Sequence, residues 1–391
     1  DTASGFRGAV LLGSGEFRIN ATLYIRASGV VLRGSGEGST VLLATAPVQY
    51  VVVQVKGASS VSVVSGTFSA VNQSRVPVGA RELNVTSPEL YAPGDLVRIT
   101  RPGTAAWVAA NGMDSIQSCT PPLEGRSCTQ WEPSSYNLKW ERRVVAVDGS
   151  TLRLDAPLVE SLDGAYGGGY VEKVSDTRIS HVGVEALQVV SLFNASLNET
   201  GATGTGGAPL GIYYYDEAHA TTAIAFDDVV HAWVSRIVCR HLVFACVDLQ
   251  DGSKHVTVEN TTSLEPVSIL TGGRRYPFNV DGQLSLVRHS TSDLARHAFV
   301  SGSNEQGPNV FYRCSSTRDQ SDIGPHMRWG AGQLYDKIVG GQMRVWDRGY
   351  FGSGHGWAGN TIVFWNAQSL AAAGGTSGFH VQSPASGANY C

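Results

Sequence analysis

Charged residues are scarce in this sequence, and neither sign dominates. Only 16% of its 391 residues are charged, and 29 basic against 33 acidic residues give a formal net charge of −4. A nucleic-acid-binding surface usually carries a basic field that attracts phosphates, so this composition argues against a nucleic acid as the partner. Long apolar runs are also missing, because YVVVQV at 50–55 is far shorter than the ~20 residues of a membrane helix. We therefore expect no membrane-spanning segment.

A helical hydrophobic period is missing as well. From residue 8 onward, short β-rich runs such as AVLL, TLYI and TVLLAT alternate with Gly, Ser or Asn turns, which is typical of short strands. Residues 75–175 differ, because longer strands such as DLVRIT and RRVVAV are interrupted by a proline-rich loop. We predict N-terminal β-helix coils at 1–74, a lateral β insertion at 75–175, and a main β-helix at 176–391 that carries the groove.

The runs after residue 180 recur with a period. Aligning VSRIVCRHL, HVTVENTTS, LSLVRHSTS, NVFYRCSST, LYDKIVGG and TIVFWNAQS places six residues in one column: Cys239, Asn260, His289, Cys314, Ile338 and Asn366. Coils of about 20–30 residues with a constant strand phase indicate a parallel β-solenoid. We therefore predict an all-β parallel β-helix, in which this column points inward as a buried ladder.

No CxxC metal spacing occurs among the six cysteines. Their even number favours disulfides, and we expect the pairs Cys119 with Cys128, Cys239 with Cys246, and Cys314 with Cys391. Six N-x-S/T sequons predict N-linked glycans; they lie at Asn20, Asn72, Asn84, Asn194, Asn198 and Asn260. Disulfides and glycans together favour a secreted, extracellular location. Because the chain begins at DTASG without a hydrophobic signal segment, we expect a processed mature form.

Basic residues occupy equivalent places in consecutive coils. The stretch SDIGPHMRWGAGQLYD, 321–336, aligns with the stretch around HGWAG, and the alignment extends upstream. The resulting column is Arg275, His297, His326 and His355. Aromatic and basic residues near it complete a candidate site: Phe299, Trp329, Trp357, Tyr276, Arg274, Arg328 and Arg348.

This column has the size and chemistry to contact an acidic polysaccharide. Rungs roughly 4.8 Å apart would spread the four basic groups over about 15 Å, which suits an extended polymer. Aromatic faces suit sugar rings, and imidazole or guanidinium groups suit carboxylates or sulfates. In the alternative interpretation, the histidines point inward and bond to backbone carbonyls while the aromatics fill the core.

Metal and carboxylate sites compete with this interpretation. Three histidines can hold zinc, but successive rungs are wider apart than zinc ligands, so we expect no zinc. The pairs Asp216–Glu217, Asp227–Asp228 and Asp319 with Asp322 could hold calcium or act as the carboxylates of a hydrolase. No cofactor is firmly implied. The run Tyr213 to Tyr215 is either a binding rim or a packed loop.

Several motifs together resemble a family of secreted pectin-lyase-like proteins. They are SGVVLRGSGEGSTVL, DGSKHVTVEN, GGRRYPFNVDGQL, RHAFVSGSNEQGPNVFYRC and RGYFGSGHGWAGNTIVFWN, with RITRPGTAAWVAANGMD in the insertion. The resemblance covers nearly the whole chain and implies a right-handed parallel β-helix. Members of the wider superfamily include polysaccharide lyases, hydrolases, epimerases and inert adhesive proteins, so the fold does not choose a reaction.

We favour a polysaccharide lyase that cleaves a uronate polymer by β-elimination. A positive group such as Arg275, Arg328 or Arg348 would neutralise the carboxylate, and His297, His326 or His355 would serve as base and acid. Lys254 and Arg275 also resemble the Lys and Arg pair of the alginate lyase and chondroitinase B family, although GSKHVTVEN matches its signature poorly. A glycoside hydrolase and a non-catalytic, self-assembling surface-fibre glycoprotein remain open as alternatives.

Overall fold

The computed structural model describes residues 4–116, 128–204, 209–370 and 378–391. The first strands belong to the N-terminal coils: β1 (Gly8–Leu11), β2 (Gly15–Ile19), β3 (Leu23–Ile25), β4 (Val30–Arg33), β5 (Thr40–Ala44) and β6 (Val51–Lys56). A lateral unit follows, with β7 (Val61–Val63), β8 (Ser69–Ala70), β9 (Arg75–Val76), β10 (Glu82–Asn84), β11 (Leu96–Arg101), helix α1 (Ala105–Ala110), β12 (Leu138–Asp148), β13 (Thr151–Leu154), β14 (Leu162–Asp163) and β15 (Tyr170–Asp176). Short 3-10 turns occupy Pro88–Leu90, Pro133–Tyr136 and Gly164–Tyr166.

The C-terminal coils supply the remaining elements. They are β16 (Ile179–Ser191), β17 (Asn198–Thr203), β18 (Pro209–Tyr214), β19 (Thr222–Asp227), β20 (Val229–Arg240), β21 (Ala245–Leu249), β22 (Lys254–Leu264), β23 (Phe278–Val280), β24 (Ser285–Arg288), β25 (Thr291–Asp293), β26 (Phe299–Ser301), β27 (Asn309–Tyr312), β28 (Ser315–Thr317), β29 (Gly324–Pro325), β30 (Gly330–Ala331), β31 (Gln333–Asp336), β32 (Val339–Gly340), β33 (Met343–Val345), α2 (Phe351–Gly354), β34 (Gly359–Asn360), β35 (Val363–Trp365), β36 (Gln368–Ser369) and β37 (Phe379–Val381).

These strands stack into a parallel β-helix, which confirms the predicted fold class. One parallel sheet runs in the order β3, β6, β19, β21, β23, β26, β29, and we call it sheet B. A larger sheet, called sheet A, holds two rows of strands that begin β1–β4–β16–β20 and β2–β5–β16. The coils that begin at β19, β21, β23, β26 and β29 pass through sheet B, then through sheet A, and return by a turn. Parallel strands joined in this way stack directly over one another.

An exposed column of residues with positive φ marks the bend between the two rows of sheet A. Strand register places six residues in this column: Arg236, Asn260, His289, Arg313, Lys337 and Asn366. The predicted column was wrong by three residues at Cys239 and by one at Cys314 and Ile338, all of which point inward and are buried. The bend requires the left-handed region, where Asn and His are enriched among non-glycine residues. The column is therefore an outward bend and not a buried ladder.

Apolar side chains fill the interior of the coils. Part of the core is a stack of aromatic rings, with centroid separations of 5.4 Å for Phe278–Phe299, 5.9 Å for Phe299–Phe311 and 4.8 Å for Phe311–Tyr335. Each of these four residues has at most 1% of its surface exposed. Burial of one such side chain contributes about 1.5–3 kcal/mol, so the repeated stack stabilises successive coils against one another.

The lateral unit is antiparallel and has its own core. Its sheet runs β10–β13–β12–β11–β15–β7, with β8 also paired to β15. Its aromatic core includes Trp107, Trp131 and Trp140. Because β7 begins at Val61, the antiparallel strands start before residue 75, where the sequence pattern placed the boundary. The short run VSVV alternates too weakly to be told from another coil strand.

A buried ionic cluster joins the lateral unit to the β-helix. Arg178 Nη2 lies 2.5 Å from Glu141 Oε2 and 2.6 Å from Asp176 Oδ2. Lys254 Nζ donates to the Glu141 backbone carbonyl at 3.1 Å. The Arg178 side chain is only 1% exposed, so the ion pairs replace water as the partners of these charges.

The described cysteines confirm one predicted disulfide and correct another. Cys239 and Cys246 are bonded, with a Cα–Cα distance of 5.5 Å. Cys314 and Cys391 are both free, so their predicted pairing was wrong. Cys314 is buried in the core, where Sγ contacts the Tyr312 carbonyl at 3.4 Å, whereas Cys391 is exposed. The predicted Cys119–Cys128 pair involves Cys119, which lies outside the described residues. In the described ranges, no helix is long and apolar enough to cross a membrane.

Candidate functional site

The outward face of sheet B carries a row of acidic side chains. Strand alternation directs Val247 and Leu249 inward and Asp248 outward. Asp227 is the last residue of strand β19. Asp281 directly follows strand β23, which lies two coils after β19 in sheet B. We call Asp227, Asp248 and Asp281 the acidic row. Strand stacking brings these carboxylates, which are distant in sequence, onto one face of the solenoid.

Asp248 and Asp281 are bridged by one amide. Asn279 Nδ2 donates to Asp248 Oδ1 at 2.9 Å and to Asp281 Oδ2 at 2.8 Å. These two contacts limit the separation of the two carboxylate oxygens to at most about 5.7 Å. The Gly302 backbone N–H donates to Asp281 Oδ1 at 2.5 Å. The two carboxyl groups therefore form a close, oriented pair.

Burial perturbs the titration of both members of this pair. Loss of hydration raises the pKa of Asp281 to about 6, opposed by the Gly302 N–H and reinforced by the charge of Asp248. Burial also raises the pKa of Asp248, against hydrogen bonds from Asn279 and Gln250. Asp227 is held by Lys56, which forms an ion pair with it. A carboxyl group with a pKa of about 6 can exchange a proton near neutral pH, as acid–base chemistry on this face would require.

Sequence reasoning missed Asp248 and Asp281. The signal was present in ACVDL and FNVDG, where an acidic residue follows or interrupts a short apolar strand. The aligned repeat was built on the strands of sheet A, so the sheet B strands entered it only through the neighbouring histidines. Aligning the sheet B runs with one another would have shown the acidic row.

Three predicted histidines do come together. Ring centroids of His297 and His326 lie 4.6 Å apart, and those of His326 and His355 lie 5.2 Å apart. Tyr276 joins them, 4.9 Å from His297. We call Tyr276, His297, His326 and His355 the histidine cluster. His297 and His326 are 1% and 7% exposed, so the cluster is a compact group and not the open 15 Å row that the sequence predicted.

Hydrogen bonds fix the state of the central histidine. Arg348 Nη1 donates to His326 Nδ1 at 2.9 Å and to the His326 carbonyl at 2.6 Å. The proton of a neutral imidazole then resides on Nε2, which contacts the Tyr276 hydroxyl at 3.2 Å. Arg296 Nη1 also donates to this hydroxyl, at 2.9 Å. Among the described residues, the acceptor of the Tyr276 proton is the Gly272 carbonyl at 3.4 Å.

Burial and nearby arginines lower the pKa values of the three histidines, which keeps their imidazoles neutral near pH 7. Burial lowers the pKa of His297 to about 4, although Asp322 opposes this, and lowers the pKa of His355 to about 3 with the help of Arg348. Burial also lowers the pKa of His326 well below its usual value. His297 Nδ1 contacts the Asp322 carbonyl at 2.8 Å, and its Nε2 is buried without a partner among the described residues.

Two predicted catalytic cations lie elsewhere. Pairing of Phe278 with Phe299 sets Tyr276, and not Arg275, beside His297. Arg275 turns toward the loop that precedes sheet B, where Nη2 donates to the Ser268 carbonyl at 2.7 Å. The backbone of Lys254 pairs with that of Gln283 in the next coil, and not with that of Arg275. This coil is longer than the 21 residues that separate Lys254 from Arg275, so the two side chains are not stacked. Lys254 packs against the lateral unit, and its burial lowers its pKa to about 8.

Two predicted aromatic platforms are core residues. Phe299 and Trp329 are both 0% exposed, so neither presents a face to a sugar. Phe299 belongs to the interior stack. Trp329 packs edge-on to Trp107 at 4.6 Å and donates to Glu160 of the lateral unit. The lateral unit covers this coil, which the local sequence pattern did not show. Trp357 is half-buried and donates to the Asn111 carbonyl at 3.1 Å.

The remaining predicted basic residues have protein partners. Arg274 is paired with Glu217 at 2.8 Å. Arg328 donates to Ser353 Oγ at 2.7 Å. Of the twelve predicted catalytic and binding residues, the histidine cluster and Arg348 are thus the ones that the fold gathers into one group.

The structure shows the surroundings of the predicted glycan sites and of the acidic residues considered as calcium ligands. Most of the sequon asparagines are exposed, with Asn84 half-buried and accepting from Thr151 at 2.8 Å. Within 4–116, 128–204, 209–370 and 378–391, no group of three His, Cys, Asp or Glu side chains is arranged to hold a metal ion. Asp216 instead caps a loop by accepting from the Asn194 and Ala218 backbone N–H groups at 2.7 and 3.0 Å.

Comparisons with known proteins identify no family for this chain. No family model matches the chain, and no curated protein matches it in sequence. Among solved structures, it is similar to the tailspike of Acinetobacter baumannii bacteriophage AP22 in complex with capsular saccharide, at 9% identity and a TM-score of 0.39 over 98% of this chain. The chain spans about 60% of that tailspike's length.

Two further solved structures are similar to the chain at comparably low sequence identity. One is the catalytic domain of a GH87 α-1,3-glucanase in complex with nigerose, at 9% identity and a TM-score of 0.38, with 95% of this chain and 49% of the glucanase covered. The other is the tailspike of Pseudomonas phage LKA1, at 13% identity and a TM-score of 0.28, with 93% and 72% covered. Similarity this low identifies no family, and the resemblance to pectin-lyase-like proteins stays an expectation.

Proposed function

We propose that the protein is a secreted enzyme that cleaves glycosidic bonds of a polysaccharide held along the outward face of sheet B. The observation that carries this proposal is the carboxyl pair Asp248 and Asp281. Glycoside hydrolases use two carboxyl groups, one as acid and one as nucleophile or base. Asp281, half-buried and with a pKa of about 6, is the general acid in this proposal, and Asp248 is its partner.

The spacing of the pair points to retention of the anomeric configuration. Retaining enzymes hold their carboxyl groups roughly 5–5.5 Å apart, and inverting enzymes hold them roughly 6.5–9.5 Å apart. The shared Asn279 amide keeps the nearest oxygens within about 5.7 Å. The first product of hydrolysis is therefore expected to keep the anomeric form of the substrate.

A β-eliminating lyase is the second candidate, and the histidine cluster favours it. Arg348 or Arg296 would neutralise a uronate carboxylate. A ring nitrogen of His297 or His355 that is free among the described residues would remove the proton from the carbon beside that carboxylate. The Tyr276 hydroxyl, which contacts His326, would protonate the departing oxygen. His326 lies on the coil after Gly302, since its N–H donates to the Ser301 carbonyl at 2.9 Å. It is thus about two rungs, roughly 10 Å, from Asp281 along the solenoid axis. An acidic polysaccharide would be the substrate for this chemistry.

A screen of acidic and neutral polysaccharides tests both candidates. Hydrolysis releases reducing ends without a new ultraviolet chromophore, and elimination produces an unsaturated, absorbing sugar. For the hydrolase, Asp281→Asn should lower the rate by about 10²- to 10⁴-fold, while Tyr276→Phe leaves most activity. For the lyase, Tyr276→Phe and His326→Ala should be the damaging changes. If no polysaccharide is cut, the non-catalytic surface-fibre alternative is favoured instead.

A further inference from the structure

A separate cleft lies beside the turns that lead into sheet B. Its volume is about 410 Å³, and it is bounded by the hairpin of β17 and β18 and by the loop before β23. The residues that matter for its chemistry are Phe193, Tyr213, Tyr214, His241, Arg275 and Arg318. This volume is within the range of small-molecule sites. Neither the acidic row nor the histidine cluster lines it.

Arg275 gives this cleft an unbalanced positive charge. The residue is 2% exposed, and its known hydrogen bonds go to neutral groups: Ser268 Oγ at 3.2 Å, the Ser268 carbonyl at 2.7 Å and the Tyr214 carbonyl at 3.2 Å. Across the described part of the chain, no carboxylate lies within 4.0 Å of its guanidinium, and Nη1 makes no hydrogen bond. A buried charge without a counter-ion is costly.

Nearby charges do not cancel that of Arg275. Glu217 is the carboxylate whose charge acts on Arg275, but it is bound by Arg274 and accepts from the Ile269 N–H at 3.0 Å. Glu265 on the cleft rim is paired with Arg240 at 2.7 Å. Arg318 is already paired with Asp293. Arg275 thus has no counter-ion among the described residues, and an anionic ligand in the cleft would supply one.

The walls of the cleft add an aromatic surface to this charge. Phe193 packs edge-on against Tyr214 at 5.1 Å and against His241 at 5.0 Å. The Arg275 guanidinium lies 5.4 Å from the centre of the Tyr213 ring, which orients it from one side. A ligand with an anionic group and an apolar ring face fits both features.

We propose that this cleft binds a sugar residue through its anionic group, a carboxylate or a sulfate, with the Arg275 guanidinium as the main partner. The sugar part of this ligand rests on the proposed function, whereas the anionic part rests on Arg275. The cleft is a binding site outside the acidic row, so it would hold a charged unit of the polymer or a charged branch. It contributes affinity and selectivity, and not bond cleavage.

Calorimetric titration of the intact protein tests this assignment. The probes are methyl β-D-glucuronide, glucose 6-sulfate and the neutral methyl β-D-glucoside. At least one anionic sugar should bind about tenfold or more tightly than the neutral one, since a charge-assisted hydrogen bond is worth about 10- to 100-fold, and the two anionic probes distinguish carboxylate from sulfate. Equal binding of all three, or no binding of either anionic sugar, overturns the proposal.

Variants separate the cleft from other sites. Arg275→Gln should lower anionic-sugar affinity at least tenfold, and Arg313→Gln, which removes an exposed charge at the outer bend, should leave it unchanged. Because Arg275 also bonds to backbone carbonyls, Leu294→Trp provides a second test: Leu294 lines the cleft, and the larger ring should fill it without touching those bonds. Unchanged affinity in a folded Leu294→Trp protein refutes the site.

The same titration distinguishes failure of this proposal from failure of the proposed function. Asp281→Asn should retain anionic-sugar binding while losing cleavage. A wild-type protein that cuts no polysaccharide but binds the anionic probes through Arg275 would refute the enzyme and leave the cleft assignment in place. If the protein cleaves a polysaccharide, Arg275→Gln does not change the rate, and the wild type shows no preference for the anionic probes, the cleft assignment is refuted and the proposed enzyme function stands.

Discussion

Replacing Asp281 by Asn should remove a pH-dependent cost to folding. In the folded protein the pKa of Asp281 is raised to about 6, chiefly by burial, whereas an aspartate in an unfolded chain titrates near 3.9. Between these values the folded state binds more protons than the unfolded state. Stability from this group is therefore present at low pH and is lost as the pH rises through about 6.

The size of this effect follows from the shift. A difference of about two pKa units corresponds to roughly 3 kcal/mol when both states are ionised. Partial exposure of Asp281 and the hydrogen bonds from Asn279 and Gly302 make this an upper limit. The Asn variant should thus gain stability relative to the wild type on going from pH 4 to pH 8, by at most ~3 kcal/mol.

Urea denaturation followed by tryptophan fluorescence at several pH values measures this difference. The exposed Asp148→Asn variant is a matched control, since it removes a carboxylate that the solvent already hydrates. The activity of the wild type should fall above about pH 6 if Asp281 acts as the acid. A stability difference that is constant with pH, or that has the opposite sign, would show that Asp281 is not a desolvated carboxyl group.

Two further changes test the packing of the lateral unit on the β-helix, and a third tests the disulfide within the β-helix. Arg178→Met should lower the free energy of unfolding by about 3–5 kcal/mol, because it removes the nearer cation of the buried Glu141 and leaves Lys254 Nζ at 3.8 Å; a urea midpoint equal to the wild type would contradict this. Trp329→Ala should cost about 3–5 kcal/mol and make the lateral unit more sensitive to limited proteolysis, and equal digestion rates would count against the docking seen here. Cys239→Ser, which opens the short Cys239–Cys246 loop, should cost about 2–3 kcal/mol and make the stability insensitive to reducing agents, whereas Cys314→Ser, which replaces a free cysteine, should keep the wild-type response to reducing agents.

The histidine cluster was predicted in part from the repeat pattern of the sequence. The motifs around His297, His326 and His355 were correctly placed in consecutive coils, because each coil returns the chain to the same turn. The identity of their neighbour was wrong by one residue, since a short strand such as FNV pairs with FVS in a register that sequence spacing does not determine. Tyr276, and not the predicted Arg275, therefore belongs to the cluster. Arg275 lines a different cleft.

The acidic row and the burial of Phe299 and Trp329 were not predicted from the sequence pattern. A carboxylate that alternates with buried apolar residues has the same local sequence whether its strand faces solvent or another unit. Burial in the stacked coils raises the pKa of Asp248, against the hydrogen bond that Asn279 of the next coil donates to it. Trp329 became a core residue only because the lateral unit covers its coil.

Local information in the sequence determined the β-helix, its short strands and turns, the lateral β unit and the Cys239–Cys246 bridge. Each of these depends on strand periodicity, turn residues or cysteines only seven positions apart, and such features act over one coil or less. The tertiary structure decided which side chains share a face, which charges lie buried without a counter-ion, and which aromatics remain exposed. Those properties depend on register between coils and on packing between two units far apart in the chain, where a shift of one residue exchanges one neighbour for another.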